Sequence, residues 1–145
     1  MGLLLMGPNG SGKSGALAAL HNLAKTIPQL SSSKYTMWCY ARDVARTYEY
    51  GLIDQTFDEY VDDMYEEAKW LVIDELGRES DIKNHDRRMH ALLRKRADNG
   101  LVTHFSTNLR LDEIDKVYGH AFSSLLHETC IHVTVDGPDR RVKAA

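Results

Sequence analysis

The chain has 145 residues, is 43% hydrophobic and 27% charged, and carries a formal net charge of −3. These values suit one soluble domain and exclude a disordered chain, a collagen-like repeat and a membrane-embedded protein, because the longest apolar runs are four or five residues against the roughly 20 of a transmembrane helix. Two cysteines, Cys39 and Cys130, with no CxxC pair, give neither a disulfide framework nor a zinc ribbon, and the absence of an apolar leader makes a cytoplasmic protein with no membrane partner the expectation.

In chain order, Leu3–Met6 is an apolar strand that stops at Gly7. Leu17, Leu20, Ala24 and Ile27 then recur at helical spacing until Pro28. Tyr35–Tyr40 reads as a buried strand. Phe57, Tyr60, Val61, Met64, Tyr65 and Ala68 trace one face of a helix, with Thr56 and Glu59 as its capping box. Trp70–Ile73 is the next strand and ends on two acids. A helix carrying Met89, Leu92, Leu93 and Ala97 stops at Asn99-Gly100, and Leu101–Ser106 and Ile131–Val135 supply two further strands. Strands that are apolar throughout, alternating with helices, predict an α/β fold with a mostly parallel sheet and helices on both faces.

Gly7-Pro8-Asn9-Gly10-Ser11-Gly12-Lys13-Ser14 matches G-x-x-x-x-G-K-[ST] at every specified position, with a strand before it and a helix after. Glycines let successive backbone N–H groups turn inward around phosphate oxygens, and the helix points its positive end at the same anion. In this reading Lys13 reaches the β- and γ-phosphates of ATP and the Ser14 hydroxyl ligates Mg²⁺. Asp74 stands sixty-one residues after Lys13 at the end of a buried strand, where a carboxylate holds the metal through its water shell. Glu75, directly after it, suits a general base for an attacking water and so favours hydrolysis over phosphoryl transfer to a small molecule. Asn108, after the strand Leu101–Ser106, can orient that water or contact the γ-phosphate.

Together these residues resemble the AAA+ ATPases of the DnaC/IstB group, the bacterial helicase loaders and transposition helper ATPases. "GPNGSGKS" and "LVIDELGRE" are similar to its Walker A and Walker B blocks, "STNLRLDEI" to its sensor-1 block and "VTVDGPDRR" to its closing strand with Gly-x-x-x-Arg. The resemblance implies a P-loop NTPase of AAA+ type spanning residues 1–145 as a single domain, with sheet order 5-1-4-3-2, Asn108 as the sensor-1 residue and Arg141 as a nucleotide contact. It implies a role in DNA replication, with single-stranded DNA, a replicative helicase or transposase, or further copies of the chain as partners, in a bacterium or a phage-infected host. Two departures stand out. The phosphate loop begins at residue 7, where a helicase-gripping segment would precede it, and Leu125 occupies the place of the arginine that reaches a neighbouring subunit's ATP. Without that arginine, hydrolysis by the chain alone is expected to be slow, and the alternative is a nucleotide-gated interaction module with little turnover.

Charge is polarised along the chain. Glu49–Glu67 holds eight acids and no Lys or Arg, whereas Arg78–Arg96 holds seven of the eighteen basic residues against three acids. In the resembled family the region after Walker B faces single-stranded DNA, which makes Lys83, Arg87 and Arg88 candidate phosphate contacts and assigns Arg94–Arg96 to an outer helical face or subunit interface. His127, Cys130 and His132 straddle a helix-to-strand turn and lack metal-ligand spacing.

Overall fold

The computed structural model describes residues 1–51 and 64–139. Five strands, β1 (Gly2–Met6), β2 (Thr36–Tyr40), β3 (Trp70–Leu76), β4 (Val102–Thr107) and β5 (Cys130–Thr134), form one sheet in the order β2-β3-β4-β1-β5. Every pairing is parallel, and the order is the expected 5-1-4-3-2 taken from the other edge. Helices α1 (Lys13–Ala24), α2 (Ala41–Gly51), α3 (His85–Asp98), α4 (Leu111–Tyr118) and α5 (His120–Thr129) connect the strands. The register sets Leu4, Phe105 and Ile73 side by side across β1, β4 and β3, all fully buried. They join the larger core cluster with Val44, Met89, Leu93, Ile114, Phe122 and Leu126 from α2 to α5. On the opposite face, Leu17 of α1 packs on Leu5 and Val72. Each such side chain contributes about 1.5–3 kcal/mol by leaving water, and β1 and β3 carry them on both faces, whereas β4 buries Thr103 and His104 beside Phe105. Among the described residues no helix is long and apolar enough to cross a membrane.

Several elements differ from the sequence expectation. Helix α1 ends at Ala24, because Thr26 and Ile27 close tight i→i−3 bonds to Leu23 and Ala24 at 3.0 Å, and Ile27 is 43% exposed rather than core. β2 is an edge strand, so Tyr40 is exposed and Trp38 only half-buried. Trp70 is also half-buried, stacked on His104 with centroids 4.1 Å apart. β3 continues through the acids to Leu76. Most of the helix expected from Phe57 to Ala68, with its capping box, lies outside the described residues; residues 64–67 are helical, and Tyr65 and Ala68 are buried.

The largest correction is Arg96. Set by sequence on an outer face with Arg94 and Lys95, it is 0% exposed. Its guanidinium donates to Thr103 Oγ1 at 2.8 Å and to the carbonyls of Tyr65, Ala68 and Val102 at 2.6, 2.8 and 2.7 Å. The planar fork of donors satisfies chain ends that secondary structure leaves open. Arg94 and Lys95 are exposed as expected, paired with Asp98 and Glu66.

His104 on β4 is buried beneath α1, and its Nδ1 accepts the Leu3 backbone N–H at 3.2 Å. A nitrogen that accepts this bond carries no proton, so the folded ring is neutral. Burial, helped by the N-terminal charge and Arg96, pushes its pKa down to about 4 from 6.5. The unfolded chain therefore takes up this proton first. Stability conferred by the neutral ring is full above pH 6.5 and is lost as pH falls toward 4. The shift corresponds to on the order of 3 kcal/mol. Urea unfolding between pH 7 and pH 4 is expected to show the native chain losing more stability, by about that amount, than His104→Asn, which keeps an acceptor without the titration; equal losses would contradict it.

Candidate nucleotide-binding site

Helix α1 starts without a side-chain cap, its N-cap being Gly12 at φ 103°, and the first-turn N–H groups, as in any helix, point out of its N-terminal end with no carbonyl partner inside the helix. The preceding loop curls around them. Gly10 sits at φ +76°, and a Cβ there would lie 1.7 Å from Asp139 Oδ1; one on Gly7 would lie 2.2 Å from the Val135 carbonyl oxygen. Glycine at these two positions lets the segment after β5 lie against the loop, anchored by Val135 N–H donating to Met6 O at 2.7 Å. Lys13 is buried, and its ammonium donates to the carbonyls of Gly7 at 2.6 Å and Pro8 at 2.7 Å and contacts Ser11 Oγ at 3.4 Å. A positive charge is thereby held on the carbonyls of the loop, at the edge of the cleft that Lys13 lines.

Asp74 joins this loop to the sheet. One carboxylate oxygen, Oδ1, accepts the Ser14 hydroxyl at 3.0 Å, the Glu75 N–H at 3.1 Å and the Ser106 hydroxyl. Ser106 Oγ in turn accepts the Glu75 N–H at 3.1 Å. The carboxylate is 3% exposed, and three donors offset its removal from water. Glu75 adopts φ +60° at an irregularity in the β3–β4 ladder between Ile73 and Leu76. A non-glycine residue in this region is strained by about 1–3 kcal/mol, and the bonds to its N–H hold it there. The break in the ladder turns Glu75 into the cleft while Asp74 stays beneath.

Asn108 leaves the end of β4 and donates through Nδ2 to Asn9 Oδ1 at 2.7 Å. The Arg110 N–H donates to Glu113 Oε2 at 2.7 Å, fixing the turn between β4 and α4. Asn9, Lys13, Ser14, Glu75, Thr107 and Asn108 thus line one open cleft of about 240 Å³ at the carboxyl end of the sheet, where ligands bind in open α/β sheets. Ser14 and Asp74 offer adjacent hard oxygen donors that fit Mg²⁺. Among the described residues no group of three His, Cys, Asp or Glu side chains forms a metal site by itself, so such an ion would share its shell with phosphate and water.

The sequence-derived set divides clearly. Gly7, Pro8, Asn9, Gly10, Ser11, Gly12, Lys13, Ser14, Asp74, Glu75 and Asn108 converge on the loop and strand ends around this cleft. Arg141 lies outside the described residues. Lys83 and Arg87 are exposed on the turn before α3 and its first turn, away from the cleft lining, and Arg88 is half-buried. Leu125 is 1% exposed in the main core, and the exposed residue beside it is Ser124. Helix α5 contains no arginine. Ser106 and Thr107 hold the site together without a motif role of their own. Their signal is two hydroxyl residues closing a strand at the level of Asp74. Thr107 Oγ1 donates to Leu76 O at 2.7 Å and accepts the Leu109 N–H at 3.0 Å.

No protein-family model and no curated protein matches this sequence. Solved structures do match its fold. The crystal structure of the DnaC helicase loader superposes with a TM-score of 0.80 at 16% identity, over 93% of this chain and 78% of that one. The crystal structure of DnaI gives 0.74 at 25% identity, over 97% and 72%. A replication initiator DnaA, bound to AMPPCP and single-stranded DNA, gives 0.76 at 20% identity, over 94% of this chain and 40% of its own.

Ser106→Ala tests the frame. It is expected to lower stability by about 1–3 kcal/mol in urea unfolding, since Asp74 and the Glu75 N–H each lose a buried partner; a change within 0.5 kcal/mol, the ordinary scatter of surface substitutions, would contradict it. An all-parallel five-stranded sheet, with a glycine-rich loop after β1 and acids at the end of β3, gives the chain the α/β fold of the DnaC and DnaI structures.

Proposed function

We propose that this domain binds ATP with Mg²⁺ and hydrolyses it, as a helicase-loader-type ATPase in DNA replication. The observation that carries the reading is the single Asp74 oxygen that joins Ser14 of the phosphate loop to the strand ends bearing Glu75 and Asn108. The amides of Gly7–Ser14 would hold the phosphates. Lys13 would exchange the Gly7 and Pro8 carbonyls for phosphate oxygens, a move of a flexible ammonium with little backbone change. Ser14 and Asp74 would hold Mg²⁺, which when bound neutralises phosphate charge. Glu75 would accept the proton of the attacking water as the bond from the γ-phosphorus to the bridging oxygen breaks, giving ADP and phosphate. Asn108 would release Asn9 and donate to the γ-phosphate, and Arg141 would approach from the C-terminal side.

Hydrolysis by the isolated chain is slow in this account, because α5 supplies no arginine and an arginine finger contributes roughly 10³–10⁵ in rate. The finger would come from elsewhere, in a further copy of the chain or a partner. The DnaA of the same fold carries a nucleotide analogue and single-stranded DNA, which supports these as ligand classes here. Exposed Lys83 and Arg87 are the phosphate contacts proposed for DNA, with half-buried Arg88 supporting them. The partner would be single-stranded DNA or a replicative helicase.

ATP turnover by the native chain and Glu75→Gln, with and without single-stranded DNA, tests the reading. The substitution is expected to reduce turnover by roughly 10²-fold or more, the usual contribution of a general base, while ATP still binds. Tight binding with no turnover in either protein would instead favour the nucleotide-gated module, and transfer of phosphate to a metabolite would overturn both.

A further inference from the structure

Glu79 is 0% exposed, four residues beyond Glu75, and no part of the proposed chemistry uses it. Its Oε2 accepts the Gly77 N–H at 3.0 Å and its Oε1 accepts the hydroxyl of Tyr118. Gly77 belongs to the turn that leaves Glu75, and Tyr118 is the last residue of α4, the helix that follows the Asn108 loop. One buried carboxylate therefore ties together the two segments that present Glu75 and Asn108 to the cleft. The turn is closed further by Arg78 N–H on Glu75 O at 3.1 Å and Ile82 N–H on Glu79 O at 2.9 Å. Tyr118 is itself fixed, its ring 4.7 Å from Phe122 and 5.6 Å from His85.

Glu75 needs such support on its C-terminal side. The bonds from Asp74 and Ser106 fix only its N–H, and its φ of +60° lies outside the broad backbone basins. A turn free to relax would let the residue fall back toward an ordinary strand conformation and withdraw its carboxylate from the cleft. Burial raises the pKa of Glu79, a mark of how far this carboxylate is removed from water.

We propose that Glu79, anchored by Tyr118, is a positioning residue for Glu75: it sets the rate of hydrolysis and leaves nucleotide affinity alone. The inference rests on Glu75 as the base. It also makes the α4–α5 corner, where Tyr118 meets Gly119, a place from which a contact on α5 can alter catalysis without touching the phosphate loop.

The test compares the native chain with Glu79→Gln, Tyr118→Phe and the double variant, measuring fluorescent-ATP affinity, single-turnover hydrolysis and exchange of the Gly77 amide. Each single variant is expected to bind ATP within about twofold of native, hydrolyse it roughly tenfold more slowly and exchange the Gly77 amide faster. The double variant should be no slower than the worse single one, because both remove the same linkage. Tyr118→Phe deletes one oxygen and keeps the ring, so it decides alone if Glu79→Gln fails to fold. Variants that hydrolyse at the native rate, or lose affinity and rate together, overturn the positioning role while leaving Glu75 as base. A native chain that binds ATP without turnover overturns the reading of Glu75, and this inference with it.

Discussion

The carboxylate of Asp74 is the constraint on which the rest of the site depends. It sits at the carboxyl end of β3, nearly out of contact with water, and one of its oxygens takes donors from three places: the first turn of α1, the end of β4 and the next residue of its own strand. A buried charge left unpaired is destabilising by several kcal/mol, so the three segments are held in a common register by the need to satisfy it. The sheet supplies the alignment. Ile73 pairs with Phe105, which puts Asp74 and Ser106 side by side, and Leu4 pairs with Phe105 from the other flank, which delivers the phosphate loop directly above them.

In the proposed function, that junction leaves the neighbouring groups arranged for an anion. Lys13 already rests over the loop on two carbonyls, and Asn108 already reaches the loop through Asn9. Each of these contacts is a hydrogen bond that a phosphate oxygen can replace. Binding in this account exchanges partners and does not rebuild backbone, which limits its ordering cost. The segment after β5 lies against the same loop, with Asp139 beside Gly10.

Much of this was legible in the sequence because the signals are local. A glycine-rich loop between strand and helix, and two acids ending an apolar run, each encode their geometry within about ten residues, and the strand and helix alternation was enough for the sheet class; its order came from the family resemblance. What was not legible depends on distant partners. Arg96 stands beside exposed Arg94 and Lys95 in sequence, yet it turns inward because Tyr65, Ala68 and Val102 leave carbonyls unsatisfied there. Leu125 stands where the family resemblance places a reaching arginine, and its burial in the core beside exposed Ser124 follows from the phase of α5. The strained backbone of Glu75 and the buried link from Glu79 to Tyr118 follow from strand register and helix packing, which no short motif records.

The central claim is that Asp74 organises a site for ATP with magnesium, and calorimetric titration of ATP with Mg²⁺ and with chelator measures it most directly. The native chain is predicted to bind ATP more tightly with Mg²⁺ by roughly tenfold, about 1.4 kcal/mol, and Asp74→Asn, nearly the same shape without the charge, is predicted to lose that gain while still binding metal-free ATP. The same magnesium gain in both proteins, or no ATP binding by the native chain, would contradict the account.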